Sequence, residues 1–261
     1  MLPRLRPAGG EALRSVERVG QILSLFGTGR SELGVSEAAR ALGISKSSAY
    51  GLLTSLAKIG LLTRTENARY RLGERILTLA ETYRATHRLS PETQALLWEV
   101  AARLRCVVSL AVLEGGSVVF VERAAHHPQA SVRVPLGVRL PVHASAAGKV
   151  LLAFRPEREL RTTLPGQGEL RPLTENTITT FDQLLRELRR VREAGFAYNL
   201  GEAFPYDYCL AVPVWGEGRR VIGAVSISMS RRRFWQHRDA ALAAAREVSI
   251  KVSGALPGAR G

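Results

Sequence analysis

The dipeptide Gly148–Lys149 opens an apolar stretch, "HASAAGKVLLAF" at residues 143–154, where a phosphate-binding loop could begin. Such a loop needs several glycines before the lysine and a Ser or Thr after it, because bare amides surround the phosphates and the hydroxyl binds magnesium. Here alanines precede the glycine and Val150 follows the lysine. The pattern therefore argues against a nucleotide site, and we expect Lys149 to face solvent or to lend positive potential to an anionic ligand.

Nucleophilic catalysis is a second chemistry that single residues suggest. Cys209 could act as a nucleophile with His143 or His237 as its base. No nucleophile-elbow, metal-dyad or dinucleotide-binding pattern surrounds these residues. Ser145 and Lys149 are four positions apart, whereas the Ser-Lys acyl-transfer motif needs three. The main prediction is therefore a protein that is not an enzyme, with a Cys-dependent enzyme as the alternative.

Metal binding has an equally weak signal. His126 and His127 could seed a site with Cys209 or His143, but adjacent histidines before a proline are more typical of a loop. The two cysteines, Cys106 and Cys209, are too few for a disulfide framework and lie in neither a CxxC pair nor a zinc-spaced cluster. The sequence therefore predicts no metal ion and no cofactor.

Length and charge narrow the class of partner. The 261 residues suffice for two ordinary domains, and the net charge of +14 favours a polyanion, although an arginine-rich genome would give the same bias. Residues 1–88 hold 14 Lys and Arg against 7 Asp and Glu, and the remainder holds 23 against 16. Since the N-terminal part has the same excess on about half the length, nucleic acid is expected there. No apolar run could span a bilayer and "MLPRLRPAGG" lacks a signal core, so we expect a cytoplasmic protein without a membrane partner.

Three short helices are predicted in the first segment. Residues 15–26 carry an apolar stripe at helical spacing, Ser36 can cap "SEAARAL", and Gly43 can end that helix. Ser45 can cap a third helix in "ISKSSAYGLLTSLAKIG". Two helices joined at a glycine turn indicate a helix-turn-helix. The predicted inward residues are Val16, Val19, Ile22, Leu23, Phe26, Ala38, Ala39, Leu42, Ala49, Leu52, Leu53, Leu56 and Ile59.

A basic hairpin follows the third helix. "LLTRTENARYRLG" predicts two short strands around "ENA", with Tyr70 and Leu72 facing inward and Arg69 and Arg71 facing outward by period-two alternation. Three helices and a hairpin are the layout of a winged helix. The alternative is an ordinary helical subdomain with a solvated charged hairpin.

A winged helix binds double-stranded DNA with its third helix in a groove and its wing against the backbone. Gly51 lies on the exposed face of the third helix, opposite the leucine stripe. The predicted groove contacts are Ser45, Lys46, Ser47, Ser48, Tyr50 and Thr54. The predicted backbone or minor-groove contacts are Arg64, Arg69 and Arg71.

The remaining chain predicts a helical linker and an α+β domain. A sheet with helices outside it and a long loop, "GEAFPYDY", over one edge suits a small-ligand pocket. Predicted helices cover residues 91–104, the "HASAAGKVLLAF" stretch, 181–195 and about 233–252. Predicted strands cover residues 106–114, 117–125, 130–135, 209–215 and 221–230.

From Ser15 to about Val252, the sequence resembles the isocitrate lyase regulator (IclR) family of bacterial transcription regulators. The resemblance rests on "SVERVGQIL", "ISKSSAYGLLTSLAKIGLL", "YRLG", "PLGVRLPVHASAAGKVLLA" and "YCLAVPVWGEGRRVIGAVSIS". It implies an N-terminal winged helix, a linker helix and a GAF-like effector domain, assembled as homodimers that often pair into tetramers. The expected boundaries are an extension at 1–14, the winged helix at 15–73, the linker at 74–89, the effector domain at 90–255 and a tail at 256–261.

The resemblance also implies an effector pocket. Ser226 and Ser228 are two apart on one strand, so their hydroxyls face the same side. Ala146 and Ala147 leave room for a ligand near a helix N-terminus, which suits an anion, and Gly148 would let helix and sheet pack closely. The implied effector-binding residues are Ala146, Ala147, Asn199, Cys209, Ser226 and Ser228.

Four positions depart from the family pattern. Family members usually carry an acidic residue at Asn199, an acidic pair at Gly201–Glu202, a glycine at Tyr206 and an arginine at Gly51. With Tyr206 and Tyr208 nearby, we expect an effector that is larger or more aromatic than small keto acids.

The expected function is therefore ligand-responsive transcription regulation, with repression favoured over activation. Operator DNA and a small-molecule effector are the expected partners. The rival interpretations are a Cys-dependent enzyme with an accessory DNA-binding domain and a non-regulatory DNA architectural protein. The latter would leave the larger half of the chain without a role.

Overall fold

A computed structural model gives two compact units, Met1–His87 and Arg88–Gly261. The described residues are 13–26, 30–86, 89–127, 136–164 and 170–253. The predicted strand at 130–135 and the expected tail at 256–261 lie outside them, as does all but the end of the expected extension at 1–14.

The N-terminal unit has the order expected of a winged helix. An antiparallel hairpin follows three helices, and Leu62 pairs with Leu72 at its base. The elements are α1 (Arg14–Phe26), α2 (Val35–Leu42), α3 (Lys46–Lys58), β1 (Leu62–Arg64) and β2 (Tyr70–Leu72). The predicted N-terminal architecture is confirmed.

Local capping explains where the helices begin and end. Gly43 adopts the left-handed conformation at φ 65° and ends α2, as predicted. The residue before α2 is Gly34 and not Ser36, and its N–H donates to the carboxylate of Glu37 at 3.2 Å. Ser45 caps α3 as predicted, because its hydroxyl accepts the N–H of Ser48 at 3.1 Å.

The core of this unit follows the apolar spacing of the three helices, but three predicted inward residues are exposed. Val16 is 62% exposed, Ile59 50% and Leu72 43%. Each lies at an end of its element, in the first turn of α1, just after α3 and at the last position of β2. The buried core residues are Ile22, Phe26, Leu33, Ala38, Ala39, Ala49, Leu53, Leu56, Leu62 and Tyr70.

The predicted linker helix is present as α4 (Arg75–Thr86), within the expected range of 74–89. Three of its large apolar side chains, Leu77, Leu79 and Tyr83, are each close to half exposed or more.

Six strands of the described C-terminal residues form one antiparallel sheet. The strands are β3 (Val107–Glu114), β4 (Ser117–Ala125), β5 (Arg139–Pro141), β6 (Ala197–Leu200), β7 (Asp207–Trp215) and β8 (Val221–Ser230). The helices are α5 (Pro91–Leu104), α6 (Ala146–Ala153), α7 (Glu157–Thr163), α8 (Phe181–Ala194) and α9 (Arg231–Val252). The strand order is β5-β4-β3-β8-β7-β6. Three short elements, β5, α7 and β6, were not predicted from the sequence.

The two faces of the sheet differ in side-chain size. Helices α5 and α9 cover the face that carries Leu110, Leu210 and Ile227. Helices α6 and α8 cover the opposite face, where small residues such as Ala111 and Ala211 reach the core. Neighbouring strand residues alternate between the faces, so the small-residue face has space for a ligand beneath α6. Within the described residues, no helix is long and apolar enough to cross a membrane.

Candidate DNA-binding surface and ligand pocket

The N-terminal half of α3 exposes the residues predicted to enter a DNA groove. Lys46, Ser47 and Tyr50 are exposed, and Tyr50 has 48% of its surface in solvent. Ser45 and Ser48 are also exposed, but the Ser45 hydroxyl donates to the Ser48 hydroxyl at 2.9 Å and accepts its N–H. The Ser45 side chain is therefore occupied in capping, while the others remain available to base edges.

Thr54 has an internal partner. Its half-buried hydroxyl lies 3.3 Å from the Tyr70 hydroxyl on β2, and Tyr70 is only 1% exposed. The hydrogen bond ties the middle of α3 to the wing, which gives Thr54 a structural role in addition to the groove contact predicted for it.

The three wing arginines divide into two groups. Arg64 and Arg71 are exposed, and Arg71 is only loosely paired, with Nη2 3.9 Å from Glu74. Arg69 was expected to face outward with them; its side chain is 37% exposed, but it is paired within the domain. Its Nη2 lies 3.0 Å from both carboxylate oxygens of Glu37, and its Nε lies 3.3 Å from Glu32.

The partners of Arg69 lie at the start of α2. Arg69 directly precedes β2, and its side chain turns toward α2. The backbone N–H of Gly34, the Arg69 guanidinium and the charge of Arg30 all lower the pKa of the Glu37 carboxyl. These ion pairs join the start of α2 to the wing.

Gly51 is exposed on α3, and a Cβ placed there would meet no atom within 4 Å. Packing therefore does not require a glycine at this position.

In the C-terminal unit, all six residues expected to bind an effector line one pocket between α6 and the sheet. The pocket encloses about 50 Å³ that water-sized molecules can occupy. Eight further residues line it: Val107, Ser109, Phe120, Arg123, Leu140, Ser145, Ala203 and Asp207.

The strand register explains how the pocket floor becomes polar. Ser109 pairs with Arg123 on one side and with Ser226 on the other, so these three form a row across β4, β3 and β8. In the next row, Cys209 lies between Ser228 and Asn199. Ser109 and Arg123 were not predicted from the sequence, although each interrupts an apolar strand on the face that carries the serines.

The N-terminus of α6 forms the opposite wall. The Ser145 hydroxyl caps the helix by accepting the N–H of Gly148 at 3.0 Å, and Ala146 and Ala147 begin it. The first N–H groups of a helix have no partner within the helix and carry partial positive charge. A Cβ at Gly148 would collide with the carbonyl oxygen of Val142, so the glycine permits close approach of α6 to the preceding turn.

Cys209 is a buried and protonated thiol. Its Sγ lies 2.8 Å from the Ser228 hydroxyl and donates to Asp207 Oδ2 at 3.2 Å. Burial raises the pKa of the thiol well above its usual value, and the charge of Asp207 adds to the effect. The Asn199 amide closes the adjacent loop, since its Oδ1 accepts the N–H of Glu202 at 2.7 Å.

Lys149 neither faces solvent nor reaches the ligand pocket, contrary to expectation. It is 1% exposed, and its Nζ lies 2.7 Å from Glu202 and 3.4 Å from Glu187. Burial raises the pKa of the Glu202 carboxyl, and the neighbouring Lys149 charge acts to lower it. Lys149 is thus the cation of a buried ion pair.

Tyr206 and Tyr208, which suggested an aromatic effector, do not line the pocket. Tyr206 is 76% exposed, and Tyr208 packs on the other face of the sheet with its ring centroid 5.8 Å from that of Phe234. Tyr208 precedes Cys209 on β7, so strand alternation places the two on opposite faces. Among the lining residues, Phe120 supplies the aromatic ring of the pocket.

Two domain models match the chain. Residues 82–254 match the bacterial transcriptional regulator IclR C-terminal domain, and residues 15–66 match the IclR helix-turn-helix domain. The chain belongs to the IclR family. It is a transcription regulator with a DNA-binding domain and an effector domain.

Relatives of this IclR-family regulator cover nearly its full length. The HTH-type transcriptional regulator XynR of Escherichia coli is 34% identical over 250 residues, spanning 95% of this chain and 98% of that protein. The crystal structure of an IclR transcriptional regulator from Alicyclobacillus acidocaldarius has a TM-score of 0.76 at 26% identity, covering 93% of this chain and 98% of that one. An IclR homologue complexed with 4-hydroxybenzoate, from Microbacterium hydrocarbonoxydans, has a TM-score of 0.72 at 28% identity, with 92% and 98% covered.

The geometry gives no support to the enzyme interpretation. A buried thiol with a raised pKa is a poor nucleophile. His143 Nε2 is hydrogen-bonded to the Arg171 carbonyl at 3.0 Å, and His237 lies on α9, which covers the other face of the sheet. The described residues hold no cluster of three or more His, Cys, Asp and Glu that could bind a metal ion.

Proposed function

We propose that this IclR-family regulator is a repressor whose DNA affinity changes when a small carboxylic acid enters the pocket beneath α6. The observation that carries the proposal is the convergence of a helix N-terminus and a polar sheet floor on one small pocket. Repression requires only that the protein occupy its operator, whereas activation also requires a productive contact with the transcription machinery.

The DNA contacts are divided between α3 and the wing. Lys46, Ser47, Ser48 and Tyr50 are assigned to base edges, because they occupy the first exposed turn of the recognition helix. Exposed Arg64 and Arg71 are assigned to phosphates. We assign Arg69, Ser45 and Thr54 mainly to holding the domain together, since each has a partner within it.

The carboxylate of the effector is assigned to the amides of Ala146 and Ala147. Helix N-termini bind anions because N–H groups and the helix dipole both favour negative charge. The hydroxyls of Ser226 and Ser228 supply further donors on the floor. An acid also occupies the related 4-hydroxybenzoate complex, which supports this class of ligand.

A homodimer is the proposed DNA-binding form, with a dimer of dimers as the larger assembly. The exposed apolar residues of α4, Leu77 and Leu79, are costly in water and suit a contact between copies. Two winged helices would then read half-sites one helical turn or a multiple apart, and the effector would bias their placement.

Selection of genomic DNA fragments with the purified full-length protein tests the proposal. A short shared motif with two related halves is expected, and the genes beside it should be derepressed when the regulator is deleted. Binding without sequence preference would overturn the proposed DNA readout. Lower transcription of those genes on deletion would overturn repression.

A further inference from the structure

One guanidinium and one carboxylate stand in the pocket wall beside the sheet floor. Arg123 lies opposite Ser109 in the β4–β3 register, on the pocket face. Asp207 begins β7, and its Oδ2 accepts the thiol of Cys209 at 3.2 Å. Burial lowers the pKa of Arg123, and the negative charge of Asp207 raises it again, so the two groups act on each other. An arginine stays cationic in proteins, and the pair therefore has no net charge.

The Arg123–Asp207 pair restricts the chemical group that an acid can carry at the end opposite its carboxylate. Another carboxylate would gain from Arg123 but meet repulsion from Asp207. An aromatic ring would bury Ser109 and Ser226 without offering them hydrogen bonds, which costs free energy for each unsatisfied group. A hydroxyl group can donate to a carboxylate and accept from a guanidinium at the same time.

The size of the pocket limits the ligand further. A cavity needs at least about 10–15 Å³ of such space to admit one water, and a water takes about 30 Å³ in the liquid, so the pocket holds only a few waters. A compact acid of a few carbons therefore requires less movement of the walls than a bulky aromatic acid.

We propose that the effector is a small hydroxylated carboxylate and that Arg123 and Asp207 together recognise its hydroxyl groups. The inference rests on the proposed function, which assigns the carboxylate itself to the N-terminus of α6. It replaces the larger or more aromatic effector expected from the sequence, since neither Tyr206 nor Tyr208 lines the pocket.

The test measures binding of matched acids to the full-length protein by calorimetry and thermal shift. Propionate, lactate and glycerate share three carbons and carry none, one and two hydroxyls. Since a hydrogen-bonding site discriminates strongly against an analogue lacking its partner, each hydroxyl should tighten binding about tenfold. Succinate and 4-hydroxybenzoate are included as a second-charge probe and an aromatic probe.

Two variants test whether Arg123 and Asp207 recognise the hydroxyl groups of the acid. In Arg123→Gln and Asp207→Asn the ratio of glycerate to propionate affinity should fall from about 100-fold to about tenfold or less, because one hydrogen-bonding partner has lost its charge. The ratio cancels any general effect of pocket charge on the carboxylate. Arg232→Gln and Asp239→Asn make the same changes on exposed positions of α9 and should keep the wild-type ratio. Thermal unfolding of all four variants confirms that they are folded.

The possible outcomes distinguish failure of the hydroxyl inference from failure of the proposed effector class. Propionate and glycerate binding with equal affinity to folded protein would overturn the hydroxyl inference and leave the acid-binding pocket intact. Tighter binding of succinate or 4-hydroxybenzoate than of glycerate would also overturn it. If none of the acids binds or changes the melting temperature, the proposed effector class itself is wrong.

Discussion

The buried ion pair beneath α6 allows a quantitative prediction for Lys149→Met. The lysine side chain is 2% exposed and that of Glu202 10%, with Nζ 2.7 Å from Oε1. Methionine keeps the long apolar stem but lacks the ammonium, so Glu202 is left as a buried carboxyl without its nearest cation. Removing one member of a buried pair costs about 3–5 kcal/mol. For a unit of this size the melting temperature should fall by about 6–20 °C.

A double-mutant cycle in urea separates the pair from its surroundings. Glu202→Gln alone leaves Lys149 buried with Glu187 at 3.4 Å, so it should also destabilise the protein. The double variant removes both charges and should be more stable than the sum of the single effects by about 1–3 kcal/mol. Arg190→Met serves as the control, because that cation is 79% exposed and 4.0 Å from Glu187. Its effect should stay within about 0.5 kcal/mol.

The loss of stability in Lys149→Met should depend on pH. The sign of this dependence follows from the direction in which the pKa of Glu202 is shifted. Burial raises the pKa of Glu202, and loss of Lys149 removes the charge that lowers it. A group with a raised folded-state pKa favours folding below its unfolded pKa and loses that contribution as pH rises through the folded value. The deficit of Lys149→Met should therefore shrink from about pH 7 to about pH 5, and Glu202→Gln should abolish this dependence. Strictly additive single effects, or a deficit below 1 kcal/mol that ignores pH, would refute the reasoning.

Four further substitutions test the remaining assignments. Gly51→Ala should raise the free energy of unfolding by about 1 kcal/mol, since the site is helical, exposed and open; an unchanged or lower value in chemical denaturation would contradict this. Arg71→Ala should reduce the slope of log affinity against log salt by about 0.9 in DNA titrations, whereas Arg69→Ala should leave the slope nearly unchanged; equal losses would reassign Arg69 to phosphate. Gly148→Ala should destabilise the C-terminal unit by about 1–3 kcal/mol or more, because its Cβ meets the Val142 backbone, and wild-type stability would show that the turn can yield.

The long elements were predictable because their signals are local. Apolar spacing, Ser45 and Gly43 mark the helices of the winged domain, and the α5 and α8 patterns are long enough to be unambiguous. β5 and β6 have three and four residues, too few for a period to show. They form because neighbouring strands offer backbone partners, which a local pattern does not contain.

The six predicted pocket residues came from family resemblance, and their convergence required the fold. Burial of Lys149 was missed because its partner, Glu202, is distant in sequence and lies in an irregular loop. Tyr208 could have been excluded from the pocket, since it alternates with Cys209 on one strand. Arg123 had a comparable signal as a charged residue in an apolar strand, on the same face as the serines.

The most direct test of the account is the DNA affinity of the full-length protein for a selected fragment and for a shuffled fragment of the same composition. Fluorescence anisotropy at one fixed salt concentration should show a preference of at least about 10³-fold for the selected fragment. Tyr50→Ala should lower that preference by about tenfold or more, while binding to the shuffled fragment stays nearly constant. Equal affinity for both fragments, or a Tyr50→Ala variant that retains the full preference, would contradict sequence readout through α3.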